Sequence, residues 1–138
     1  MRKRVLFLCA GNAVRSQMAE GWALHLHSAW LDAYSAGISP EGLDQMAVEV
    51  MREAGVDISA QRSKHVSVYA DESFDLVVTV CDAARELCPV FFGSRIIHAG
   101  FADPSNVAGN EAQRRAAYRE RRDEIKAFVE TLPSLMQS

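Results

Sequence analysis

Apolar and polar residues fall along this chain in blocks whose spacing switches between strand-like and helix-like. Arg4 to Leu8 is a short, nearly all-apolar run. Such a run predicts a strand buried on both faces, as in a parallel sheet. Gly11 and Asn12 break it. From about Arg15 to Trp30 the apolar positions Met18, Ala19, Trp22, Ala23 and Leu26 recur at helical spacing. A weaker strand is predicted over Asp32 to Ser35, closed by Gly37. Leu43 to Ala54 predicts a second amphipathic helix, with Met46, Ala47, Val50 and Met51 on one face and Gly55 ending it. Asp75 to Cys81 is the strongest strand signal, rich in Val. Ala83 to Leu87 can form a turn or two of helix before Pro89. Arg95 to Ala99 predicts a fourth strand. Asn110 to Leu132 predicts a long helix that packs through Ala116, Ile125, Phe128 and Val129, with Arg and Glu residues left in water.

Strands alternating with helices predict an α/β fold. The expected architecture is one domain over residues 1–138, with a central four-stranded parallel sheet flanked by helices. Folds of this kind bind ligands at the carboxyl ends of their strands. Two cysteines, Cys9 and Cys81, end the first and third strands.

Composition narrows the function classes. The net charge of −3 supplies no basic excess for nucleic acid, and none is expected as a partner. No apolar run approaches a membrane span, and the short apolar start is interrupted by Gly11, Asn12 and Arg15. A cytoplasmic protein, off the membrane and monomeric, is the expectation. The three cysteines are an odd number, which argues against a purely structural disulfide framework. In a reducing compartment they are buried hydrophobes, metal ligands or redox groups.

The chemistry-bearing segment runs Cys9, Ala10, Gly11, Asn12, Ala13, Val14, Arg15, Ser16 between a strand and a helix. Successive backbone N–H groups at a helix N-terminus cradle a tetrahedral oxyanion. Gly11 and Asn12 tolerate the left-handed backbone that a tight cradle needs. Arg15 can grip two oxygens through its planar fork. The helix N-terminus and Arg15 together favour the thiolate of Cys9, and the Ser16 hydroxyl can donate to that sulfur. Cys9 is therefore read as a nucleophile; a structural cysteine at a strand end is the competing reading. No Gly-x-Gly-x-x-Gly is present, so a dinucleotide loop is excluded. Cys81 and Cys88 read equally well as a core thiol and a loop thiol or as redox partners. Six intervening residues do not match the usual zinc spacing, and His25, His27, His65 and His98 are scattered, so no metal is expected.

The stretch Cys9-Ala-Gly-Asn-Ala-Val-Arg-Ser-Gln-Met-Ala-Glu-Gly resembles the signature of the low-molecular-weight tyrosine phosphatase superfamily. Its Arg-Ser-Gln-Met-Ala-Glu continuation is similar to that of thioredoxin-coupled arsenate reductases on the same fold. Ser35-Ala-Gly, Ala47-Val-Glu-Val-Met, Gly55-Val-Asp-Ile-Ser59, Val77-Val-Thr-Val-Cys81-Asp and Phe101-Ala-Asp-Pro104 extend the resemblance nearly end to end. The resemblance implies that Asp103 is the general acid, where a turn residue before Pro104 is the plain alternative. It implies a relay in which Cys9 attacks arsenate, Cys81 attacks Cys9 to release arsenite, and Cys88 moves the disulfide to Cys81–Cys88. Thioredoxin is the implied electron donor, with no bound cofactor, and phosphate or sulfate are the implied competing oxyanions. If Cys81 to Cys88 is helical, the two Cα atoms lie roughly 10 Å apart, whereas a disulfide needs roughly 4.4–6.8 Å. The segment must then unwind to be oxidised.

The sequence also departs from the family. Val14 stands where many relatives carry another Cys before the loop Arg. Ala99 stands between His98 and Gly100, where an aromatic is common. Asn12, Glu20 and Ser35 match a potassium site of some relatives, but Gln61-Arg-Ser-Lys64 lacks its acidic residue, so weak or no potassium dependence is expected. The phosphatase alternative is disfavoured by Asp103-Pro-Ser-Asn-Val, which offers no Tyr to stack phosphotyrosine, and by Cys81 and Cys88. A non-enzymatic oxyanion binder or redox sensor would show no turnover with any reductant.

Overall fold

A computed structural model describes residues 2–89, 91 and 94–137. Met1 and Ser138, the ends of the expected domain, lie outside the described residues. Four strands, β1 (Lys3–Cys9), β2 (Leu31–Gly37), β3 (Leu76–Thr79) and β4 (Arg95–His98), form one sheet in the order β2-β1-β3-β4. All three pairings are parallel, as the buried Val-rich runs predict. The central strands are fully buried: Val5 to Leu8 and Val77 to Val78 have no exposed surface. β4 is the wet edge, with Ile96 46% exposed.

Five α-helices surround the sheet: α1 (Arg15–His27), α2 (Gln45–Glu53), α3 (Asp82–Leu87), α4 (Glu111–Val129) and α5 (Leu132–Met136). Asp44 caps α2 by accepting from Ala47 N, and Gly55, at φ +86°, supplies the left-handed residue past its end. Asn110 and Gln113 form a reciprocal capping box that starts α4. α4 packs on both α1 and α2. The Trp22 indole donates to Arg122 O, and the Arg122 guanidinium donates to Val50 O, so one turn of α4 ties both helices.

Several boundaries differ from the sequence expectation, for local reasons. α1 stops at His27 rather than Trp30 because the chain must turn into β2, and Arg2 takes the carbonyls of Ser28 and Leu31. Its last turn runs into solvent, so Leu26 is exposed instead of packed. β3 ends at Thr79 because Cys81 leaves the sheet to cap α3, its Sγ accepting from Ala84 N. The long C-terminal helix ends at Val129, and Pro133 sits in the first turn of a separate α5, where its missing N–H costs nothing. On α4, Ala116 is exposed and Tyr118 is fully buried in its place. Two short 3-10 turns, Val66–Tyr69 and Pro104–Asn106, carried no helical period to predict them.

A candidate oxyanion site at the β1–α1 loop

Cys9 ends β1 at the crevice where neighbouring connections leave the sheet in opposite directions, and residues 10–14 carry the chain into α1. The carbonyls of this loop are all turned outward. Cys9 O accepts from Ile38 N, Ala10 O from Ser39 N, Gly11 O from Glu41 N, Ala13 O from Asp44 N and Val14 O from Met18 N. Asn12 O accepts from the Gln17 side chain. No peptide here is cis. Across a planar trans peptide the N–H points opposite to the C=O, so the loop's N–H groups face its inner side. α1 has no side-chain cap, unlike α2 and α4, and no acidic residue in its first turn. Its positive end is left free for an anion.

Asn12 is the one non-glycine residue with a left-handed backbone among the described residues, at φ +48°. Its side chain locks the loop. Nδ2 donates to Ser16 Oγ at 2.8 Å and to Ser35 Oγ at 3.0 Å, while Oδ1 accepts from Lys64 N at 2.8 Å. Ser35 in turn donates to Glu20 Oε1 at 2.5 Å. Because Ser16 Oγ already accepts from Asn12, its own proton is free for Cys9 Sγ, 2.8 Å away. The Asn12 N–H also points at the sulfur, at 3.2 Å. A chain of donors therefore runs from the buried loop support to the thiol. Burial raises the Glu20 carboxyl above its usual range, opposed by its Ser35 hydrogen bond and by Lys64; burial lowers Lys64.

The Arg15 guanidinium is largely buried. Nη1 donates to Phe101 O at 3.1 Å and Nη2 lies 3.5 Å from Asp103 Oδ2. Asp103 starts the Pro104–Asn106 turn, and its Oδ1 accepts from both Ser105 N and Ser105 Oγ. Cys9, Gly11, Val14, Arg15 and Asp103 share a cavity of about 160 Å³. Its mouth is polar, with Glu41, Asp44 and Ser105 on the rim and no aromatic side chain among the described residues that line it. A second cavity of about 420 Å³ is lined by Cys81, Asp82 and Phe101, and by the same Arg15 and Asp103. The Arg15–Asp103 pair thus borders both thiols' cavities. A larger groove, about 480 Å³, lies at the other end of β1 between Lys3, Trp30 and α5, and holds no thiol or acid.

The predicted residues are thus brought together unequally. Cys9 to Ser16 and Asp103 form one constellation, and Cys81 adjoins it. Cys88 stands at the far end of α3, half-buried, with its Sγ donating to Pro89 O and its thiol pushed up by burial. All three cysteines are free thiols. No cluster of metal-ligating side chains occurs among the described residues, and none of their helices is long and apolar enough to cross a membrane. Sequence reasoning missed the backing of the loop by residues 38–44, and the roles of Gln17 and Gly37. A Cβ on Gly37 would lie 2.7 Å from Ala10 O, so the glycine that closes β2 also makes room for the loop.

The model of a family described as low molecular weight phosphotyrosine protein phosphatase matches residues 4–137. The arsenate reductase of Halalkalibacterium halodurans is 44% identical over 138 residues, covering 95% of this chain and 99% of its own. A solved arsenate reductase in the oxidized state superposes with a TM-score of 0.81 at 29% identity, covering 98% and 99% of the two chains. A thioredoxin-dependent arsenate reductase of Corynebacterium glutamicum superposes with a TM-score of 0.77 at 25% identity, covering 99% of this chain and 62% of its own.

Proposed function

The chain belongs to the low molecular weight phosphotyrosine protein phosphatase family, and from that premise we propose that it is an arsenate reductase working through Cys9, Cys81 and Cys88, with thioredoxin as electron donor. The observation that carries this reading is the shared border: Cys9 and Cys81 line adjoining cavities joined by Arg15 and Asp103. A phosphatase needs the first cavity only. The name of the Halalkalibacterium relative and the thioredoxin dependence of the Corynebacterium neighbour support the same choice.

In the proposed cycle, arsenate displaces Asp103 from Arg15 and takes the inward N–H groups of the loop. The Cys9 thiolate, held by the Asn12 N–H and the Ser16 hydroxyl, attacks arsenic. The leaving oxygen departs as water with a proton from Asp103. Cys81 then attacks Cys9 Sγ. The S–As bond breaks toward arsenic, whose two-electron reduction yields arsenite, and a Cys9–Cys81 disulfide remains. Cys88 attacks Cys81 Sγ, freeing Cys9 and leaving Cys81–Cys88 for thioredoxin. Cys81 and Cys88 cap the two ends of helical α3, so this last exchange requires the helix to open. Cys9, Arg15 and Asp103 also suffice for slow phosphomonoester cleavage, although among the described residues the cavity rim offers no aromatic surface to a phosphotyrosine ring. A monomer in a reducing cytoplasm suits this cycle, and no bound cofactor is required.

The test is arsenate-dependent NADPH consumption with thioredoxin and thioredoxin reductase. Wild type should turn over; Cys9→Ser, Cys81→Ser and Cys88→Ser should not sustain turnover. Continuous reduction by Cys88→Ser would overturn the relay, and phosphotyrosine cleavage without arsenate reduction would return the protein to the phosphatases.

A further inference from the structure

Tetrahedral oxyanions of similar size differ in one respect that a binding site can read. At neutral and mildly alkaline pH, phosphate and arsenate still carry a proton, whereas sulfate and selenate carry none. A carboxylate facing the anion can only accept a hydrogen bond. It gains a hydrogen bond from a protonated anion and none from a bare one of equal charge.

Three carboxylates border the Cys9 cavity: Glu41, Asp44 and Asp103. Two are already committed. Asp44 Oδ1 caps α2 and Oδ2 accepts from the Tyr118 hydroxyl at 2.9 Å. Asp103 Oδ1 takes both donors of Ser105, and Oδ2 faces Arg15. Glu41 differs. Its backbone N–H donates to Gly11 O at 2.9 Å, which pins the residue to the loop. Its carboxylate lies over Gly11, so close that a Cβ there would meet Oε1 at 2.7 Å. Among the described residues that carboxylate makes no hydrogen bond or ion pair. It is exposed to water, and among the three carboxylates at the mouth it is the one that no protein donor already holds.

We propose that Glu41 is a specificity-determining residue, whose carboxylate accepts a hydrogen bond from the bound oxyanion and so admits hydrogen arsenate and hydrogen phosphate over sulfate and selenate. Phosphate is then the strong competitor of arsenate and sulfate the weak one. A side chain at Gly11 would push the carboxylate from its place over the loop. The inference rests on the oxyanion-cradle part of the proposed function, and not on the relay.

The experiment is protection of Cys9 from iodoacetamide, read by mass spectrometry of the Cys9 peptide in the full reduced chain. Phosphate, arsenate, sulfate and selenate are titrated separately at pH 8.5. There hydrogen phosphate and sulfate have equal charge, so the comparison isolates the proton. In wild type, phosphate and arsenate should half-protect at concentrations about five- to tenfold lower than sulfate and selenate, the factor expected for one added hydrogen bond. In Glu41→Gln the amide can donate to a bare anion as well as accept from a protonated one, so sulfate should gain and the ratio should fall toward one. Equal half-protection in wild type, or an unchanged ratio in both Glu41→Gln and Glu41→Ala, would overturn the proposal. Protection by none of the four anions would instead overturn the cradle itself.

Discussion

The Cys9 loop and the Cys81–Cys88 segment carry the same functional group in opposite structural settings. The loop is over-determined. Each of its carbonyls is held from outside, Asn12 bonds in three directions, and Cys9 is 2% exposed. The segment is barely held. α3 is six residues long and buries only Ala84, Leu87 is 61% exposed, and few contacts join it to β1 and β3. In the proposed cycle the two settings divide the labour. A nucleophile that meets a small tetrahedral anion profits from a geometry set in advance. A thiol that must visit two partners profits from a helix that is cheap to open.

Substitutions should reveal this contrast, and the largest effect belongs to the loop. Cys9→Ser should lower arsenate turnover by about a thousandfold or more, because the attacking atom itself is lost. Its Tm should stay within a few degrees of wild type, since the hydroxyl keeps the Ser16 and Asn12 contacts. Residual turnover within tenfold of wild type would place the first attack elsewhere.

The second test concerns the relay's pH dependence. Burial pushes the Cys88 thiol above its ordinary range. The neutral thiol is therefore favoured at pH 7, and the thiolate that the proposed relay needs is scarce there. Formation of the Cys81–Cys88 disulfide in a single turnover should speed up about tenfold per pH unit from pH 7 to 8 and keep rising beyond pH 9. A rate that levels off by pH 8, in quench-and-alkylate time courses, would contradict thiolate attack by a raised Cys88 as the limiting step.

Stability should divide along the same line. Asn12→Ala removes three side-chain hydrogen bonds and puts a Cβ-bearing residue without that support at φ +48°. The expected loss is about 2–3 kcal/mol in urea denaturation. Asn12→Gly should recover part of it by relieving the backbone. Glu86→Ala, on the exposed face of α3, should change stability by no more than about 0.5 kcal/mol. Equal losses at the two places would erase the contrast.

The smallest effect is expected from potassium. Asn12 Oδ1 is already taken by Lys64 N, and the Lys64 ammonium is close enough to the half-buried Glu20 to influence its ionisation. Replacing sodium with potassium at constant ionic strength should change turnover by less than about twofold, because the amide oxygen a cation would use is occupied and a protein ammonium already lies in the neighbourhood of the carboxyl. A several-fold, potassium-specific activation would contradict that reading.

The same contrast explains what the sequence could and could not tell. Local signals sufficed where one segment builds the feature. The apolar run before Cys9, the Gly-Asn pair, of which Asn12 and not Gly11 takes the left-handed backbone, and the helical spacing after Arg15 mark the cradle, and the Val-rich run marks β3. Long-range features were hidden. That Asp103 returns to Arg15, 88 positions earlier in the chain, followed only from family resemblance. The outward pull on the loop by residues 38–44 uses backbone N–H groups, which every residue but proline owns, so no residue type announces it. Tyr118 replaced the expected Ala116 on the buried face of α4 because its hydroxyl finds Asp44; an amphipathic count scores that hydroxyl as polar and misses it. α3 was visible as a short helix, but its role as the span between two thiols depends on Cys81 leaving β3 to cap it.

The central claim is that one arsenate ion takes two electrons from this chain and leaves them missing at Cys81 and Cys88. The most direct measurement gives the fully reduced protein one equivalent of arsenate without any reductant, quenches with an alkylating agent, and maps the cysteines by mass spectrometry while arsenite is counted. The account predicts about one arsenite per chain, an alkylated Cys9 and a Cys81–Cys88 disulfide. Three alkylated cysteines with no arsenite released would contradict it.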